Sequence, residues 1–241
     1  MIIRTVKDAA LQLESRFSLS PNSLGYCGKK SATAKFKNCI NTGQCDGVKD
    51  ELKNFIVLYP YLKTLSKIID KPFSSYPVIE SYWLGNDELK KAKQKDYLLL
   101  LENFRKQGVP DFFIEELKLK RPKKFIPNHL FHVLHVGVGK ASGAVPFNLD
   151  SINNCMIRWG TVQSLSKKEA VVVLNSLKLK KPSLYTLTKI QASIPFNSKF
   201  TAGLKVGDTV AVHWGLIVKI LNKQEEKNLA FWTNKVLQIF S

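Results

Sequence analysis

The apolar residues of this chain change their spacing once, near residue 125, and that change restricts the chain to an α+β fold. Before it the period is helical. VKDAALQLESRF (6–17) repeats its apolar positions at three and four, and DELKNFIVLYPYLKTLSKIID (50–70) predicts a long apolar-faced helix bent or broken near Pro60. YPVIESYWLG (76–85) carries Pro77 in a first turn and Gly85 at its stop. NDELKKAKQKDYLLLLENFRKQG (86–108) opens on an Asn or Asp cap, and PDFFIEELKLK adds a short helix. About five helices on short loops predict a helical domain over residues 1–125.

After RPKKFIP the period becomes two. HVLHVGV, CMIRWGTVQSL, EAVVVLNSL, LYTLTKIQASI and DTVAVHWGLIVKI are rich in Val, Ile and Thr and read as strands. Strands without intervening helices predict a small antiparallel β-barrel of the OB type over 126–241. An amphipathic C-terminal helix over NKQEEKNLAFWTNKVLQIF would pack on it, and the junction falls at 121–128.

No apolar run approaches the roughly 20 residues of a membrane span, and MIIRTVKDAALQLESRF reads as an amphipathic helix, not a secretory signal. A cytoplasmic protein without a membrane partner is expected. In that setting Cys27, Cys39, Cys45 and Cys155 are expected as reduced thiols, and the spacing of the first three is poor for zinc. The net charge of +18 attracts anionic partners. Its densest runs, LKLKRPKK (117–124) and LKLKK (177–181), have few interleaved aromatics and read as solvated surface. A basic barrel that binds nucleic acid is the alternative.

Two residues far apart in sequence stand out. In GDTVAVHWGLIVKI, His213 shares a strand face with Thr209, Ala211 and Gly215, which leave room beside the imidazole. Cys155, in NNCMIRWGTV, lies at the mouth of the first well-marked barrel strand. Brought together at one end of a barrel, they make a soft metal site or an activated nucleophile. The segment from CMIRWGTV to VGDTVAVHWGLIVKILNKQEE resembles the HypC/HupF hydrogenase-assembly chaperones, small barrels with a C-terminal helix. Cys155 and Gly160 match one motif of that family; Gly207, Asp208, Val210, Val212, His213 and Gly215 match the other. The resemblance implies an accessory protein for metallocentre assembly, with Cys155 and His213 carrying an iron unit bearing cyanide and carbonyl. It implies a HypD-like maturation protein or the hydrogenase large subunit as partner. Two departures stand: Cys155 is internal here, and the connection between the motifs is longer.

SPNSLGYCG (20–28), VIESYWLGN (78–86) and PNHLFHVLHVG (127–137) resemble motifs of a bacterial and archaeal family of unknown function, which would span nearly the whole chain. The first is rich in turn formers and puts Cys27 on an accessible loop. In the third, a strand would place His129 and His135 on one face and His132 on the other. Cys27, His129 and His132 are therefore further metal-ligand candidates. They also define an alternative, an enzyme with Cys27 as nucleophile and His129 or His132 as base. Glu80, beside Tyr82 and Trp83, reads as a hydrogen-bonded anchor.

Overall fold

The computed structural model describes residues 6–181 and 184–240, so residues 1–5 of the expected amphipathic start lie outside the described residues. Helix α1 (Val6–Ser23) runs through Pro21, so part of SPNSLGYCG is helical and the loop begins only after Ser23. Next comes α2 (Ala32–Thr42), stopped by Gly43 in the left-handed region. Cys39, in its last turn, forms a disulfide with Cys45. The expectation of reduced thiols is wrong for this pair, because the turn at Gly43 folds the chain back and brings the two Cα atoms to 4.3 Å. A zinc site on Cys27, Cys39 and Cys45 goes with it.

The helix expected over 50–70 is two, α3 (Val48–Leu52) and α4 (Leu58–Ile69). The break precedes Pro60, which sits in the first turn of α4, where its missing N–H leaves no bond unmade. Then follow α5 (Tyr76–Trp83), a 3₁₀ turn at Asp87–Lys91 capped by Asn86, α6 (Asp96–Lys106) and α7 (Asp111–Leu119).

HVLHVGV is not a strand. The side chain of Asn128 accepts from the Phe131 N–H and starts α8 (His129–Phe131), which widens into a π-helical turn over His132–Gly137. Apolar residues here fit either period, and the cap decides for the helix. A short α9 (Leu149–Cys155), capped by Asn148, leads into the sheet.

The five strands are β1 (Arg158–Leu165), β2 (Glu169–Lys181), β3 (Leu184–Pro195), β4 (Thr209–His213) and β5 (Leu216–Ile220). DTVAVHWGLIVKI, expected as one strand, is the β4–β5 hairpin, because Trp214 and Gly215 take positive φ and turn the chain, so Gly215 does not share a strand face with His213. The strands pair antiparallel in the order β3-β2-β1-β4-β5, an open sheet and not the expected barrel. Closure would require the twelve-residue β3 to pair with the five-residue β5; the two strands approach each other but form no ladder. Gly160 lets β1 and β2 approach: a Cβ there would lie 1.9 Å from the Val173 carbonyl oxygen. The C-terminal helix α10 (Lys223–Leu237) has the capping box of Asn222 and Glu225. One sheet face buries its own small cluster, including Val162, Leu174 and Val212. Trp159, Ala211 and Val218 instead join the large core that holds Phe17, Trp83 and Phe131, so helices and sheet meet around shared apolar contacts.

A candidate metal centre in the interior

Where β4 ends, His213 is almost wholly buried, at 1% exposure. Its Nδ1 lies 2.7 Å from the backbone oxygen of Phe17 in α1. A carbonyl only accepts, so Nδ1 carries the proton and Nε2 keeps its lone pair. Pro21 explains why that carbonyl is free. It stands four residues after Phe17 inside α1 and has no N–H to return to it. Nε2 of His213 has no partner in hydrogen-bonding geometry, although the Cys155 carbonyl is near enough to oppose slightly the effect of burial. Burial holds this imidazole at a pKa of about 4, so it is neutral.

Cys155 is the last residue of α9, and its Sγ is 3.8 Å from Nε2 of His129. The ligand atoms of His129, Cys155 and His213 all lie within 4.8 Å of one another, and all three residues are buried. Burial raises the Cys155 thiol well above its ordinary pKa, with the nearby Cys27 adding to the effect and the Trp214 indole opposing it. His129 is held well below its usual value, first by burial and then by His213 and His132.

A proton chain runs behind the cluster. His129 Nε2 donates to the Cys155 carbonyl at 2.7 Å, which leaves its Nδ1 to accept from the Tyr82 hydroxyl at 3.0 Å. That hydroxyl has one proton, so the His132 contact at 2.9 Å is an Nδ1–H donated to the Tyr82 oxygen. Burial takes His132 down to about 3. Helical spacing thus gathers His129 and His132 at one tyrosine, which corrects the strand pairing of His129 with His135. His135 is elsewhere, 2.7 Å from the Tyr97 hydroxyl.

Trp83 packs on His129 and His213 at centroid distances of 4.5 and 5.4 Å. Its indole N–H donates to Glu14 at 2.8 Å, and Ser18 donates to the same carboxyl at 2.6 Å. Burial outweighs these bonds and raises Glu14 to about 7. On the other side, Trp214 and Gly215 form the β4–β5 turn with φ of 46° and 70°. Such turns favour Asn-Gly, and a tryptophan in the left-handed region is strained. Its backbone is held from both sides: the N–H donates to the Asn154 carbonyl, and the carbonyl accepts from Ser20. The Trp214 ring meets Tyr26 at 4.6 Å, and its buried indole N–H has no partner in hydrogen-bonding geometry.

These groups line a cavity of about 370 Å³, with Cys27 on the same wall and residues 54–58 and 137–145 adding apolar lining. Cys27 keeps some exposure, but its thiol is enclosed and pushed up to about 12. Asn22 ties its loop by donating to the Cys27 and Lys29 carbonyls. Glu80 lies outside the cavity and accepts from Asn86 at 2.8 Å.

Two imidazoles and a thiol suit a borderline-soft divalent ion such as zinc or ferrous iron. Tetrahedral zinc would set its ligand atoms about 3.4–3.6 Å apart, so contraction by about 1 Å closes the cluster on an ion. His129 would release the Cys155 carbonyl and carry its proton on Nδ1, donating to the Tyr82 oxygen, while the Tyr82 hydroxyl would turn to donate to Nδ1 of His132, whose proton would move to Nε2. His213 already offers its lone pair. Sequence alone did not point to Tyr82, Trp214, Glu14 or Pro21 as part of the site. The Trp-Gly turn was the readable signal, since a bulky residue there opposes local preference.

The architecture defines an α+β protein with a buried thiol–imidazole cluster at the inner end of a cavity that opens between the Cys27 loop and residues 139–145. The chain belongs to DUF6390, a family of unknown function whose model matches residues 7–241. No curated protein and no solved structure matches it. The resemblance to motifs of a family of unknown function therefore agrees with the comparison, while no HypC/HupF match accompanies it. Among the described residues no helix is long and apolar enough to cross a membrane.

Proposed function

We propose that this protein binds a divalent transition metal, zinc or ferrous iron, through His129, Cys155 and His213. The ion would keep one coordination position open to the cavity. The observation that carries this reading is His213: a fully buried imidazole whose Nδ1–H is fixed on the Phe17 carbonyl and whose Nε2 lone pair has no partner. Leaving such an atom unsatisfied is costly, and an ion would satisfy it. Three protein ligands and a vacant position are the arrangement of a site that works on or holds a small molecule, whereas structural zinc takes four protein ligands.

The test is cobalt(II) as probe on the full-length protein stripped of metal. Binding should produce a thiolate-to-cobalt charge-transfer band that Cys155→Ser removes, while His213→Ala weakens binding by roughly 10- to 100-fold. A band that survives Cys155→Ser, or no cobalt binding, overturns the proposal.

A second reading uses the same ligands. In the accessory role implied by the HypC/HupF resemblance, the site would hold an iron unit for a HypD-like protein or a hydrogenase large subunit. The convergence of Cys155 and His213 favours it, and the cavity mouth between the Cys27 loop and residues 139–145 gives a partner a route to them. Cys27 as a catalytic nucleophile has less support, because its thiol is pushed up to about 12 by burial.

A further inference from the structure

Resting on that metal site, the geometry points to its ligand: we infer that the cavity takes a small monocarboxylate with an apolar chain, its head on the metal and on the Trp214 indole N–H. Three observations converge on this.

The first is charge. A divalent ion held by the Cys155 thiolate and two neutral imidazoles leaves a net charge of +1 in a site where every protein ligand is buried. Unbalanced charge is expensive in such a place, and a monoanion cancels it. No lysine or arginine belongs to the ligand cluster, but Lys29 lines the cavity and the buried Arg158 acts on His213, so the metal would meet the anion in surroundings that are already positive.

The second is hydrogen bonding. The Trp214 N–H is buried and makes no hydrogen bond of normal geometry; it faces the Cys155 sulfur closely enough to lower the thiol's pKa as a weak donor, and a carboxylate oxygen is the better acceptor. The strained φ of 46° at Trp214 is imposed by bonds from α1 and the end of α9, and it fixes the indole beside the cluster. A carboxylate can give one oxygen to the metal and the other to this N–H, using both unsatisfied features at once.

The third is the remaining wall. Phe55, Leu58, Val138, Ala144 and Val145 also line the cavity, and its volume of about 370 Å³ exceeds what a metal-bound water fills. Those side chains would hold a hydrocarbon tail.

Two groups inside the protein compete for the same role. Glu14 could supply the balancing charge from behind Trp83, and Cys27 could supply a second thiolate as fourth ligand. The experiment separates them. Cobalt-loaded full-length protein is titrated with acetate, butyrate, hexanoate and octanoate, following the cobalt absorption bands, with hexanamide as the neutral control. Affinity should rise by up to about fourfold per added methylene until the walls are filled, and hexanamide should bind far more weakly. Trp214→Phe, measured on protein saturated with cobalt, should cost about tenfold in hexanoate affinity.

A cobalt complex that forms normally but ignores carboxylates overturns this inference alone. So does carboxylate binding seen only in Cys27→Ala, which would make Cys27 the fourth ligand, or only in Glu14→Gln, which would make Glu14 the counter-charge. Affinity independent of chain length, with acetate equal to octanoate, also overturns it. Absence of cobalt binding overturns both this inference and the metal site beneath it.

Discussion

All four histidines of this chain are held neutral by burial, and that makes the fold acid-sensitive in a calculable way. An unfolded histidine titrates near its ordinary value of about 6.5. In the fold His132 sits at about 3, and His135 and His213 at about 4, while His129 lies well below its usual value. The unfolded chain therefore binds protons that the folded chain refuses, and stability falls as pH drops below the unfolded value. The fall levels off only at the folded values of about 3 to 4. At about pH 5 each histidine kept neutral costs about 2 kcal/mol, however much lower its folded pKa lies. Glu14 acts in the opposite sense. Raised to about 7, it is protonated in the fold at a pH where the unfolded carboxyl is ionised. Between about pH 7.5 and pH 5 it returns about 2 kcal/mol. Four histidines against Glu14 leave a net loss of about 6 kcal/mol before the further offset from Glu80, whose pKa burial also raises, and that is comparable with the whole stability of an ordinary domain. Urea unfolding of the metal-free protein at the two pH values, followed by circular dichroism, measures this directly. Glu14→Gln should deepen the loss by removing the offset. A difference under about 2 kcal/mol would show the imidazoles taking up protons inside the fold, and the account of a dry, neutral cluster would fail.

Pro21→Ala gives residue 21 an N–H that competes with His213 for the Phe17 carbonyl. Metal affinity should fall by about tenfold in cobalt competition titrations while thermal stability changes by no more than about 1 kcal/mol; unchanged affinity would refute the role given to Pro21. Gly28→Ala should destabilise the protein by about 1–3 kcal/mol in thermal unfolding, because the residue has φ of 72° and the new Cβ would lie 2.4 Å from the Phe55 ring. A neutral result would mean the Cys27 loop and Phe55 move apart freely.

The sequence by itself determined the α+β class, the helical first half and the stretches that hold the five strands, because those follow from the period of apolar residues along the chain, though it read β4 and β5 as one strand. It also singled out Cys155 and His213 as worth watching, one for its place before a strand and the other for its small neighbours. Where two periods fitted the same letters, as in HVLHVGV, it failed, and a single Asn128 cap turned the segment into helix and moved three histidines. Strand pairing, and with it the open sheet in place of a barrel, depended on contacts between residues distant in sequence. The site itself was a tertiary decision. Phe17 and His213 are 196 positions apart, and only packing α1 against β4 lets the carbonyl exposed by Pro21 choose which nitrogen of the imidazole carries the proton. Local preference cannot encode such a choice, since it belongs to a hydrogen bond that exists only after both halves have folded.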